Sequence, residues 1–318
     1  MVWTQPANHV LWSLMGIFAL LVLSSGIIYG LSLTHPDRDY TELKNRIKSW
    51  WIITVLFAIA LLLHHTTAII FFGFVSFLAL KEYLSLIPTR RVDRRVLFWA
   101  YLALIFQYYW IYISWYGMFL IFVPIYMFMI LPLRMLLLGE TQGFLKAVGT
   151  LHWGLMLTVF SLSHVAYLLV LPPNGNPVAG GAGLLLYLVF LTAINDIAQY
   201  LWGKNLGRHQ VVPKISPNKT WEGLIGGMIT TTILAVVLAP WLTPFDLTHA
   251  FGVGLLLGTA GFIGDITISA LKRDLGIKDS GNLLPGHGGI LDRIDSLTYT
   301  APLFFHFTVY FYFKGLLS

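Results

Sequence analysis

Apolar runs of about 20 residues, the length a helix needs to cross roughly 30 Å of hydrocarbon, recur along the whole chain. They cover 9–33, 47–63, 66–87, 96–112, 114–138, 144–171, 181–202, 222–243, 249–271 and 297–317. Polar stretches separate them, the shortest being His64-His65-Thr66-Thr67 between the second and third. With 57% apolar residues and a mean hydropathy of +0.75, no water-soluble core could hide this much apolar surface. The pattern predicts an all-α, polytopic integral membrane protein of about ten transmembrane helices.

Charge orients that picture. Arg38, Lys44, Arg46 and Lys48 flank one connection, and Arg90, Arg91, Arg94 and Arg95 fill 88–95. Lys204, Arg208, Lys214 and Lys219 fill 203–221, and Lys272, Arg273, Lys278 and Arg293 follow the ninth span. Lys81, Arg134 and Lys146 flank span ends on the same side, leaving Lys314 opposite. Basic residues gather on the cytosolic side, so both termini are predicted outside and the long loops in the cytosol. The net charge of +6 then describes a basic cytoplasmic face against anionic headgroups. There is no compact basic domain to suggest nucleic acid, and the absence of cysteine excludes disulfides and thiolate metal sites. The first span lacks a basic leader and a small-residue cleavage pattern, and reads as a retained helix. The sequon Asn218-Lys219-Thr220 falls on the cytosolic side.

Two parts differ in character. Residues 1–180 are aromatic-rich spans with short loops, read as packing and lipid-facing helices. Residues 181–318 carry the long polar loops 203–221 and 272–296 and the acids placed within spans, Asp196 and Asp265. An ionisable group at that depth marks a functional site. Each lies seven residues before its span meets the loop, about 10 Å down at 1.5 Å per residue, so both could face one polar cavity. A buried ion pair is the plain alternative, but few basic residues lie within either span to form it. Gly258, Gly261 and Gly264 before Asp265 permit close helix contact.

The segment 269–296 concentrates scarce charge around glycine. Gly286, Gly288 and Gly289 allow backbone N–H groups to face an anion. Lys272, Arg273, Lys278 and Arg293 supply positive charge, while Asp279, Asp292 and Asp295 supply oxygen ligands. That mixture suits a phosphate substrate bound through a hard divalent cation such as magnesium. Asp292 and Asp295, three residues apart, would share a helix face.

The run from Ser269 through Leu271-Lys272-Arg273, Lys278-Asp279, Gly281, Leu284-Pro285 and His287-Gly288-Gly289-Ile290 to Asp292-Arg293-Ile294-Asp295 resembles the signature of the phosphatidate cytidylyltransferases, or CDP-diacylglycerol synthases. Upstream, Ser216-Pro217-Asn218-Lys219-Thr220-Trp221-Glu222-Gly223 resembles a second block of that family. The likeness is close over 195–296; the first 180 residues match only in being polytopic. Ile197-Ala198-Gln199 stands where many relatives have small residues, and Asn218 where lysine is common.

The resemblance implies that CTP and phosphatidate give CDP-diacylglycerol and pyrophosphate in a bacterial inner membrane, with one or two magnesium ions. It points to Asp265 and Asp292 as principal metal ligands, with Asp295 and Asp196 nearby. Lys219, Lys272, Arg273 and Arg293 would hold triphosphate or lipid phosphate, with Asn218 and Lys278 among the substrate-binding groups. Ser216 and the Gly288-Gly289 backbone would donate to phosphate, and His287 would orient an oxygen. Membrane lipids are the surroundings, and a homodimer is compatible with the sequence. A polyprenol kinase, an ether-lipid cytidylyltransferase, or a transporter relaying ions through Asp196 and Asp265 are the alternatives. Arg208 and Lys214 read as topology charges, Glu222 as either a helix-dipole acid or a substrate contact, and His64 and His65 as interfacial loop residues.

Overall fold

Each of the ten apolar runs folds as a helix, because backbone groups in hydrocarbon must be satisfied within their own segment. The computed structural model describes residues 7–35, 39–88, 90, 94–281 and 288–316. The helices are α1 (Asn8–Thr34), α2 (Thr41–Leu63), α3 (His65–Leu86), α4 (Arg94–Tyr112) and α5 (Tyr116–Leu136). They continue with α6 (Phe144–Val170), α7 (Gly180–Leu206), α8 (Trp221–Leu242), α9 (Leu247–Asp274) and α10 (Leu297–Tyr312). Eight are long and apolar enough to cross a membrane by themselves; α4 and the 16-residue α10 lie outside that set. The narrow break between the second and third runs is real. His64 adopts an extended backbone, and its ring accepts the Thr66 N–H at 3.2 Å, capping α3.

Hydrogen bonds tie several connections to one another. On the basic side, Arg90 donates to the carbonyls of Glu140 and Gln142, joining two connections. There too Arg273 Nε donates to the Ile215 carbonyl at 3.1 Å. On the other side, Asn176 Nδ2 donates to the Leu242 carbonyl at 3.0 Å, and the Asp246 N–H donates to Tyr312 at 3.4 Å.

Burial grades across the bundle. Within its most apolar window, α6 is 78% buried and α1 only 6%, so α6 is a central pillar and α1 a peripheral helix. The loop between α7 and α8 folds into an antiparallel hairpin, β1 (Gln210–Val212) and β2 (Ser216–Thr220), pairing Gln210 with Thr220 and Val212 with Ser216. Thr220 then caps α8 by accepting the Gly223 N–H at 3.2 Å. This local structure carries Lys219 from the hairpin towards the gap between α7 and α9.

Candidate active site

Helices α7, α8, α9 and α10 meet through a buried polar network. Asn195 Nδ2 donates to the Gly258 carbonyl at 3.3 Å, while its oxygen accepts the Thr231 hydroxyl at 3.1 Å. Ser296 donates to Asp196 at 2.8 Å and to the Gly261 carbonyl at 3.2 Å. The glycines before Asp265 make this approach possible. A methyl group on Gly261 would lie 2.7 Å from Asn195 Nδ2, and one on Gly264 would strike the Asp295 carbonyl. The structure therefore assigns those glycines to close backbone packing around the aspartate.

Two lysine–aspartate pairs form successive rungs along α9. In the inner rung, Lys219 pairs with Asp265 and donates to Gln199 Oε1 at 3.3 Å. Ser269 donates to the other Asp265 oxygen at 3.3 Å. Asp196 and Asp295 lie close enough for their charges to oppose each other and that of Asp265, and Arg293 acts on Asp196 from the exposed side. Burial opposes the Lys219 charge, but Asp265, then Asp196 and Asp295, hold its pKa above the ordinary lysine value. Burial, then the charges of Asp265 and Asp196, push the Asp295 carboxyl well above the usual carboxylate range.

In the outer rung, Lys272 donates to Asp292 Oδ1 at 2.6 Å. The other oxygen accepts the Ser280 N–H at 3.0 Å, the Ser280 hydroxyl at 2.9 Å and the Gly289 N–H at 3.1 Å. Burial works against the Asp292 charge, yet these donors outweigh it and hold the carboxyl below its usual value. Gly288, at φ +76°, turns the chain there in a conformation that side chains rarely adopt, and a methyl on it would lie 2.6 Å from Asp292 Oδ2.

The structure thus brings Asp196, Asp265, Asp295 and Lys219 together, and Lys272 with Asp292 and the Gly289 backbone. The helical turn Leu291–Ile294 sets Asp292 and Asp295 about one turn apart; Asp292 pairs with Lys272, while Asp295 stands in the cluster around Lys219. Asp196 and Asp265 share one cluster as predicted, but α7 and α9 run on past the predicted span ends to Leu206 and Asp274. The acids therefore lie about 14–15 Å from the helix ends, counting 1.5 Å per residue.

Arg273 is exposed and bonds the carbonyls of Ile215 and Ile277, fixing the hairpin to α9. Asn218, Lys278 and Arg293 are exposed and Ser216 is half-buried. His287 lies outside the described residues. Glu222 accepts the N–H groups of Arg208 and His209 at 3.1 and 3.3 Å and pairs with the His209 ring at 2.6 Å, so in this structure it anchors the hairpin.

Sequence reasoning passed over Glu82, which lies within the predicted span 66–87. It sits four residues before the end of α3, and its carboxylate accepts the N–H groups of Ile290 and Leu291. An acid beside Lys81 at a helix end was the signal available. Gln199, read only as a departure from the family pattern, proves to be a partner of Lys219.

The donor set fits a hard cation by its chemistry. Three crowded carboxylates share one close lysine in the inner rung, an excess of negative charge with oxygen donors only. Among the described residues, no three His, Asp or Glu side chains already stand in metal-holding positions. The crowding, rather than preformed coordination, is the indication.

The family comparison names the class of protein to which these helices, crowded acids and paired lysines belong. The model of the cytidylyltransferase family matches residues 44–311, and the chain belongs to that family. It is a nucleotidyltransferase. An Escherichia coli K12 relative, the uncharacterized protein YnbB, is 47% identical over 298 residues, covering 94% of this chain and 98% of the relative. Phosphatidate cytidylyltransferases of Staphylococcus aureus (strain COL) and Haemophilus influenzae are 42% and 40% identical, over 39% and 40% of this chain. Those two matches span about half of each relative, 48% and 46% of its length.

Proposed function

We propose that the protein transfers the cytidylyl group of CTP to phosphatidate, releasing pyrophosphate and forming CDP-diacylglycerol. The observation that carries this reading is the two-rung cluster, built from the segments that resemble the phosphatidate cytidylyltransferases. The acceptor phosphate is a monoester, largely dianionic near pH 7 because its second pKa is about 6, so it needs no general base. Its oxygen attacks the α-phosphorus of CTP, and the bond from that phosphorus to the bridging oxygen of the β-phosphate breaks. The difficulty is electrostatic, since two anions must meet and charge builds on the departing pyrophosphate.

Lys219, Lys272 and Arg293 would offset that charge. Asp265, with Asp196 and Asp295, would hold magnesium; Asp292 belongs to the same ligand set by resemblance. The ion supplies charge neutralisation at the phosphate oxygens when bound. The remaining protein groups orient: Ser296 fixes Asp196, Gln199 fixes Lys219, and Ser280 and Gly289 fix Asp292. A site beneath the basic side meets nucleotide arriving from the cytosol and a lipid phosphate at the headgroup plane.

The test is incubation of the purified protein with CTP, magnesium and a panel of lipid phosphates. CDP-lipid and pyrophosphate are expected, with phosphatidate the best acceptor and chelation stopping turnover. Release of CDP with phosphorylation of a polyprenol would instead identify a kinase and reject the reading.

A further inference from the structure

Glu82 comes from the part of the chain that the sequence reads as packing helices, yet it reaches the outer rung. Its Oε2 accepts the Ile290 N–H at 2.9 Å and its Oε1 the Leu291 N–H at 3.0 Å. These two donors immediately precede Asp292. The same carboxylate fills the neck where the chain leaves Gly281 and returns at Gly289. A methyl on Gly281 would lie 2.9 Å from Glu82 Oε2 and 3.5 Å from the Gly289 Cα, and one on Gly289 would strike Glu82 and Ser280. Both glycines are needed for the two backbones and the carboxylate to occupy one place.

The bond pattern is that of a carboxylate. Two N–H groups on consecutive residues take one charged oxygen each, so an amide in its place would offer a single, uncharged acceptor oxygen. From this neck the backbone continues directly to the Gly289 N–H and the Asp292 carboxylate, the two members of the outer rung that meet at 3.1 Å. A shift of the Ile290–Leu291 backbone would move both together.

We propose that Glu82 is a positioning residue that sets Asp292 against Lys272, so that a helix from the first half of the chain controls the geometry of the site. The kinetic part of this inference rests on the cytidylyl-transfer reading; the structural part does not. The experiment uses the full chain in detergent, comparing Glu82→Ala, Glu82→Gln and Glu82→Asp with the unaltered protein. Two quantities are measured, hydrogen exchange of the peptide containing 288–294 and steady-state kinetics with CTP.

Glu82→Ala should speed exchange in that peptide at least about tenfold while exchange in α3 and α10 stays unchanged. It should lower kcat by about 30-fold with KM for CTP altered less than about threefold, since the substrate-facing groups remain. Glu82→Gln, keeping one acceptor, should recover part of kcat; Glu82→Asp, one methylene shorter, should not. Unchanged exchange at 288–294, an unchanged kcat, or a loss of activity matched by global unfolding would each overturn the proposal. If the unaltered protein shows no cytidylyl transfer, the functional reading fails and the exchange measurement alone decides on Glu82.

Discussion

The two rungs along α9 look alike in composition and differ in chemistry. Asp292 is satisfied on both oxygens, by Lys272 on one side and by Ser280 and Gly289 on the other. Asp265 shares its lysine with two further carboxylates that repel it. A fully hydrogen-bonded ion pair is a low-energy resting arrangement, whereas crowded like charges in a poorly solvated place cost free energy until a cation joins them. The outer rung is thus hydrogen-bonded throughout in the protein alone, whereas the inner rung carries unbalanced negative charge. Two aspartates that the sequence places in one role thus stand in different surroundings.

Substitutions can break or sharpen that distinction. The largest effect belongs to Asp265→Asn, which should cut CDP-lipid formation by at least about 10³-fold, roughly 4 kcal/mol, with the protein still folded. Retention of more than about a tenth of the rate, under 1.4 kcal/mol, would remove the inner rung from the centre of the chemistry.

Asp292→Asn should cost about 10²-fold, roughly 2.7 kcal/mol. It should also lower the thermal midpoint, because it leaves the largely buried Lys272 ammonium without its counter-charge. Adding Lys272→Met should restore the midpoint while leaving the rate low, whereas adding Lys219→Met to Asp265→Asn should lower the midpoint further, because Asp196 and Asp295 then lose the lysine they share. If both double variants behave identically, the rungs are equivalent and the contrast fails.

Ser296→Ala deletes the hydroxyl that donates to Asp196 and should slow turnover by about tenfold, near the 1.4 kcal/mol of one hydrogen bond to a charged group. His209→Ala, on the exposed hairpin rim, should change the rate by less than about twofold. A larger loss there than at Ser296 would shift the decisive contacts from the rungs to the hairpin, and initial rates at saturating CTP would reveal it.

The helices were legible because hydrocarbon imposes its own rule on sequence: each run long enough to span folded as a helix, with the break at His64 where polar residues interrupt the apolar pattern. Asp196 and Asp265 were legible for the converse reason, since an acid within such a run stands out. The pairings were not. Lys219 lies 46 positions before Asp265 and Lys272 lies 20 before Asp292, separations that no periodicity records. Gln199, Asn195 and Ser296 are uncharged and carry no signal of depth, although they hold the charged groups in place. Glu82 was missed because an acid near a helix end beside Lys81 has the look of ordinary boundary polarity. Its role exists only once the 288–294 backbone is folded against α3.

The route by which Lys219 reaches Asp265 also bears on how the protein is made. The lysine belongs to a hairpin outside the helices, whereas Asp196 and Asp265 lie within α7 and α9. Each aspartate must therefore enter the bilayer as part of its own helix before the hairpin can neutralise anything. A central aspartate costs about 2.5–3.5 kcal/mol at that step. The helices of 27 and 28 residues carry mean hydropathies of 1.7 and 1.6 in their most apolar windows, enough apolar length to bear the acids into the membrane unaccompanied. Biogenesis thus divides into insertion of two acidic helices and a later docking of their counter-charge, and loss of Lys219 would leave the first event intact while disabling the second.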